Sequence, residues 1–218
     1  PPEATMRITC LHTADSNIAV FDNAARQLGL MHHEITHLSR PDLLAAAERA
    51  GGLTAELRQQ TAELLVNLAA NADRVLLTCS TLGAAATLAN ESSAAPVLRV
   101  DQALAAQAMQ TPGNIVVLCA VETTLSPTRT LFEQAEKHPQ AALEVRLVNG
   151  AWEKFKQGNL AGYLQTVAAA ADAAYRQGAN CVVLAQESMA GAAELTQTGV
   201  PLTSPACGLR AAVATPEA

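Results

Sequence analysis

The sequence predicts an α/β fold made of two pseudo-symmetric α/β domains with mostly parallel sheets and a ligand cleft between them. Short apolar β-like runs alternate with helical segments along the chain, the pattern of a parallel sheet covered on both faces. Of the 218 residues 50% are hydrophobic but only 3% aromatic, so the core is built from Ala, Leu and Val, which suits helices packed closely on sheets. The second half also repeats the first at a constant offset, as duplicated units do.

In the first half, "RITCLHT" reads as a strand, "SNIAVFDNAARQLG" as a helix and "HHEITHL" as a second strand. A long stretch runs from about Pro41 to Asn71, followed by "RVLLTCS", an Ala-rich segment, "APVLRV", and a helix with Asp101 as its N-cap. The second half brings "NIVVLCA", a helix after "LSPTRTLFEQAEK", "LEVRLVN", a long helix from about Leu160 to Gln177, and "CVVLAQ". Adding 107 carries Cys79 onto Gln186, Val75 onto Val182, Ala72 onto Ala179, Asp15 onto Glu122 and Ser16 onto Thr123. Domains are therefore expected over 6–97 with 206–218, and over 98–205. "PPEAT" at 1–5 reads as upstream sequence, with Met6 as the natural start.

The net charge is −6, from 14 basic and 20 acidic residues without a basic cluster, so no nucleic-acid partner is expected. No apolar stretch has the length of a membrane span, which points to a cytoplasmic protein with no membrane partner. The cysteines are Cys10, Cys79, Cys119, Cys181 and Cys207. An odd set without a C-x-x-C pair argues against a disulfide framework and a thiolate zinc site. Cys10, Cys119 and Cys181 lie inside apolar runs as small hydrophobes. Cys79 differs, because it sits where a strand ends.

Ligands of open parallel sheets bind at strand C-terminal ends beside helix N-termini. If the two halves face each other, Cys79 and Gln186 should meet in one cleft. "VLLTCST" and "VVLAQESMA" also carry a resemblance, because they are similar to the two signatures of the aspartate/glutamate/hydantoin racemase superfamily. The first is an apolar run followed by Cys-Asn/Ser-Thr, at Cys79, Ser80 and Thr81. The second is normally Gly-Cys-Thr-Glu or Gly-Cys-Ala-Gly-Met-Ala; Met189 and Ala190 fit the latter, and Gln186 replaces its cysteine. "VETTLSPTRTLFEQA" and "VPLTSPACGLRAAV" extend the resemblance over nearly the whole chain.

The resemblance implies an isomerase or racemase that uses no cofactor and no metal, and that moves a proton at the carbon beside a carboxylate or carbonyl. Its partner would be a small carboxylate or cyclic amide, such as an amino acid or hydantoin-type compound, and its assembly a homo-oligomer. A thiol at a strand-to-helix turn can supply thiolate near neutral pH, which makes Cys79 the acid/base or nucleophile. Backbone N–H groups of Ser80 and Thr81, and of Glu187 and Ser188, would hold a carboxylate or enolate oxygen. Asp15, Ser16, Asn17, Glu122, Thr123 and Thr124 are further substrate-binding candidates. Asp15 and Glu122 can equally be helix N-caps, and Ser80 and Thr81 can equally cap the next helix.

Racemisation by two bases needs a proton acceptor on each face of the carbon, and a glutamine amide is not one. The chemistry expected here is therefore one-sided through Cys79, with Glu187 a replacement base if its side chain turns inward. The alternatives are a non-catalytic small-molecule binding protein, and a Cys-dependent decarboxylase or hydrolase with His12 as the nearest partner for the thiol.

"HEITH" at 33–37 matches H-E-x-x-H formally. That zinc motif requires a helix, whereas Gly29 before it, β-branched Ile35 and Thr36 within it and Pro41 after it favour a strand. On a strand His33 and His37 would be about 13 Å apart, too far for a shared ion.

Overall fold

The computed structural model describes residues 4–215, so the reading of 1–5 as upstream sequence lies mostly outside the described residues. The chain forms two compact units, residues 4–101 with 208–215, and residues 102–207.

In the first unit β1 (Arg7–His12), α1 (Ser16–Gln27), β2 (Glu34–Ser39), α2 (Pro41–Arg49), α3 (Ala55–Ala69), β3 (Arg74–Leu77), α4 (Ala84–Ala89) and β4 (Val97–Arg99) follow in order. The four strands pair in parallel in the order β2-β1-β3-β4. The stretch from Pro41 to Asn71 is two helices. Gly51 and Gly52, with φ of 79° and 149°, end α2 in a backbone that glycine adopts without steric cost. Thr54 then restarts the chain, its hydroxyl accepting the Leu57 N–H at 3.1 Å as an N-cap.

Side chains alternate between two buried layers. Val75 and Leu77 join the cluster under α2, α3 and α4, while Ile8, Cys10 and Leu76 join the one under α1. This period of two decides which face each strand-end residue serves.

The second unit takes in most of α5 (Val100–Met109), then β5 (Gly113–Cys119), α6 (Leu125–Gln134), β6 (Ala141–Leu147), α7 (Ala151–Lys156), α8 (Leu160–Arg176), β7 (Cys181–Leu184) and β8 (Leu202–Thr203), and the start of α9 (Ser204–Ala214). The start of α5 corrects the Asp101 expectation: the helix begins at Val100. Asp101 lies in the first turn and accepts two bonds from Arg99, at 3.0 and 2.8 Å. The last residues of α9 return to the first unit, where buried Arg74 donates to the Ala212 carbonyl at 3.1 Å and to that of Thr215. Leu209 and Ala212 complete the layer under α1.

The second sheet, β6-β5-β7-β8, is also parallel, and its inner strands keep the 107-residue offset. The Asp73 N–H to Arg7 carbonyl bond of 2.8 Å reappears as Asn180 to Asn114, also 2.8 Å. The Thr78 to Leu11 bond reappears as Ala185 to Leu118, both 3.1 Å. The outer strand slips by one residue: Arg7 faces Glu34, whereas Asn114 faces Ala142. Among the described residues, no helix is long and apolar enough to cross a membrane.

Candidate active site

β3 ends in the sequence Thr78-Cys79-Ser80, and the alternation of faces sends its members in different directions. Cys79 is extended, at φ −101° and ψ 116°, and occupies the N-cap position of a short 3-10 turn, Ser80–Leu82. Its side chain is half-buried and packs on the rim of the cluster under α2, α3 and α4. The other four cysteines are buried, and all five are free thiols. Ser80 and Thr81 are exposed in the turn, and the first N–H groups of such a turn have no partner within it.

β1, the neighbouring strand, ends beside this turn and brings Asp15, Ser16 and Asn17 to the same sheet edge. Asp15 stands at the N-cap position of α1 but makes no side-chain cap. Its carboxylate accepts instead from the Ser39 hydroxyl at the end of β2, at 2.5 Å. The first unit thus gathers Asp15, Ser16, Asn17, Cys79, Ser80 and Thr81 along adjacent strand ends.

In the second unit Gln186 occupies the matching N-cap position, before the 3-10 segment Glu187–Glu194. Its side-chain carbonyl accepts the Ala120 N–H at 2.8 Å, which ties the end of β7 to the end of β5 and orients the amide. Glu187 is half-buried. Ser188 shares a 2.9 Å hydrogen bond with the hydroxyl of Tyr163, whose pKa burial pushes up. Glu122 and Thr123 are exposed after β5, and the Thr124 hydroxyl donates to the Val121 carbonyl at 2.6 Å.

His12 is not a partner for Cys79. It lies on the α1 face of the sheet while Cys79 lies on the opposite face, and both its ring nitrogens are engaged, Nδ1 with Thr78 at 2.8 Å and Nε2 with His37 at 2.8 Å. Glu34 to His37 of "HEITH" lie in strand β2, and His33 stands just before it, its Nδ1 accepting the Met6 N–H at 3.0 Å.

Sequence reasoning missed Arg99, at the end of β4. A Cβ on Gly83 would lie 2.4 Å from its Cζ, so the guanidinium rests against the chain just after the Cys79 turn. The available signal was "RVD", an arginine at a strand end two residues before an aspartate.

A family model described as Asp/Glu/Hydantoin racemase matches residues 8–212. The chain belongs to the Asp/Glu/hydantoin racemase family. Its members are racemase-type enzymes, and the two four-stranded parallel α/β units described above are the fold of its solved structures. An aspartate racemase homologue from Pyrococcus horikoshii OT3 is 15% identical, with 96% of this chain and 98% of that one covered at a TM-score of 0.67. Allantoin racemase from Pseudomonas fluorescens is 18% identical, with 95% and 89% covered and a TM-score of 0.63. The aspartate racemase of Picrophilus torridus is 10% identical, with 96% and 93% covered and a TM-score of 0.66. No curated protein matches the sequence.

Proposed function

We propose that this racemase-family protein is a cofactor-independent isomerase acting at the carbon beside a carboxylate or carbonyl of a small acid, amino acid or hydantoin-type compound. The observation that carries the reading is that Cys79, alone among the five cysteines, is not buried, and that it stands at a strand end before a turn whose first N–H groups have no partner within it. The thiolate of Cys79 takes the proton from carbon. The N–H groups of Ser80 and Thr81 stabilise the negative charge that develops on the neighbouring oxygen. Asp15, Ser16 and Asn17 orient the substrate from the adjacent strand end.

The Gln186 amide neither gains nor loses a proton as an acid or base near neutral pH, so the thiol serves one face of the carbon. A proton removed and returned by the same group exchanges with solvent without inverting the centre. Glu187 is the residue that would add the second face. The reading includes a cytoplasmic homo-oligomer.

The test is proton–deuterium exchange at the α-carbon of amino acids, diacids and hydantoins in D2O, followed by NMR and chiral chromatography. Exchange with retention is expected, slowed about 100- to 10,000-fold by Cys79→Ser. Glu187→Gln should leave it unchanged; inversion in the wild type that is lost in this variant would instead make Glu187 the second base. Equal exchange in wild type and Cys79→Ser would sink the proposal.

A further inference from the structure

Under α1, a set of side chains that the proposed reaction does not use is joined in a row. Asp22 Oδ1 contacts His37 Nε2 at 2.7 Å, His37 Nδ1 contacts His12 Nε2 at 2.8 Å, and His12 Nδ1 contacts Thr78 Oγ1 at 2.8 Å. Cys10 precedes His12 by two residues on the same face of β1 and lies opposite His37 in the sheet register. Cys10 and His12 are fully buried.

The outer contacts limit where the hydrogens sit. A carboxylate only accepts, so Nε2 of His37 carries hydrogen and its Nδ1 presents a lone pair to His12 Nε2 at 2.8 Å. The Thr78 hydroxyl has two acceptors in reach, the Leu11 carbonyl at 3.1 Å and His12 Nδ1 at 2.8 Å. When it serves His12, His12 Nε2 donates to His37 and the row is a neutral relay. When it serves Leu11, His12 Nδ1 donates to it, and the lone pairs of His12 Nε2 and His37 Nδ1 face each other, poised to share a cation.

We propose that Cys10, His12 and His37 form a buried structural site for a borderline-soft divalent ion of the zinc class. Their donor atoms Sγ, Nε2 and Nδ1 all lie within 4.8 Å of one another. Two nitrogens on one tetrahedral zinc, each bonded at about 2.0–2.1 Å, are about 3.3 Å apart, so the rings need separate by only about half an ångström. Both outer nitrogens already have the partners that ligating histidines use, a carboxylate and a hydroxyl. On binding, the Cys10 S–H bond breaks, a zinc–sulfur bond forms and one proton leaves to solvent. The ion's two positive charges are then matched by the thiolate and the Asp22 carboxylate, so a nearly neutral set is buried. The ion would pin β1, β2 and α1 together behind the strand ends that carry Asp15 and Cys79.

The test refolds the full chain in Co2+ as a spectroscopic probe and titrates with Zn2+. One equivalent of cobalt per chain is expected, with visible d–d bands and a thiolate-to-cobalt charge-transfer band, displaced by zinc with release of one proton. Cys10→Ala should remove the charge-transfer band, and Asp22→Asn should weaken zinc about 10- to 100-fold. A refolded wild-type chain that retains neither ion, or an unchanged spectrum in Cys10→Ala, overturns the proposal and leaves the row as a hydrogen-bonded relay.

Discussion

The two units share a strand order and, in their inner strands, a register, yet the layers beneath their strand ends differ in chemistry. In the first unit Cys10, His12, His37 and Thr78 make a polar row under α1. A shift of 107 carries Cys10, His12 and Thr78 onto Val117, Cys119 and Ala185, and the residue opposite Val117 in the register is Val145. Val117 joins an apolar cluster on which Val145 packs. The same backbone therefore tolerates either a polar or an apolar layer, which means the polar one is not a requirement of the fold. The metal site proposed above would give the row of the first unit a role beyond packing.

The largest effect should come from breaking that network at its centre. His12→Val removes both a partner of His37 and a partner of Thr78, and leaving buried polar atoms unmatched costs about 1–3 kcal/mol each, so a loss of about 3 kcal/mol or more in urea unfolding is expected. Adding Cys10→Val, His37→Val and Thr78→Ala approximates the layer of the second unit and should recover most of that loss. A quadruple variant less stable than His12→Val would show that the two layers are not interchangeable.

A second contrast lies one turn beyond Cys79. Gly83 corresponds by the same shift to Ala190, but in the first unit Arg99 fills the space a Cβ would need. The Gly83 backbone is right-handed, at φ −52°, so crowding is the reason for glycine here. Gly83→Ala is expected to cost about 1–3 kcal/mol through displacement of Arg99 from Asp101. Arg99→Thr in the same chain puts the β8 residue Thr203 at the β4 position and should relieve it. Equal destabilisation in the single and double variants, read from thermal melts, would remove Arg99 as the cause.

Much of this comparison could be read in the sequence, and the part that could not has a physical reason. The offset was visible because strand-end residues such as Cys79 and Gln186 punctuate apolar runs, and a parallel strand leaves that signature whatever it packs against. The break in the helical stretch was written in Gly51-Gly52 but passed over, because helical periodicity continues on both sides. The His12–His37–Asp22 row was not legible. It joins three elements through sheet register, and sequence spacing says nothing about which strands are neighbours. The roles of Gln186 and Asp15 were half legible: their positions were foreseen, whereas the Ala120 and Ser39 bonds that hold them depend on packing across strands.

Gln186 itself marks the next contrast. Cys79 is its counterpart, and the carbonyl that accepts the Ala120 N–H has no equivalent in a thiol. Gln186→Leu keeps the volume and loses the acceptor, and about 1–2 kcal/mol of stability should go with it. Gln186→Cys would lose the same bond but install a second acid/base group, and the D2O assay should then show inversion where retention is expected of the wild type. Persistent retention would mean that the strand end of the second unit does not reach the reacting carbon.

The smallest effect is expected at Asp172, which stands where the shift puts Leu65 in the first unit. Leu65 is fully buried core, whereas the Asp172 carboxylate accepts from the Thr198 hydroxyl at 2.6 Å and from the N–H groups of Thr198 and Gln197, at 3.0 Å to its Oδ1. The Thr198 hydroxyl, then the backbone N–H groups, hold its pKa below the ordinary carboxylate value. Because the folded pKa lies below the unfolded one, the stabilisation is fully present above about pH 4 and fades as pH falls through the folded value. Asp172→Asn should therefore lower the melting temperature by a few degrees at pH 7, and the gap to wild type should close in acid. A gap that stays constant from pH 7 to pH 2 would mean that the segment after Glu194 is held by shape, as Leu65 is, and not by the carboxylate charge.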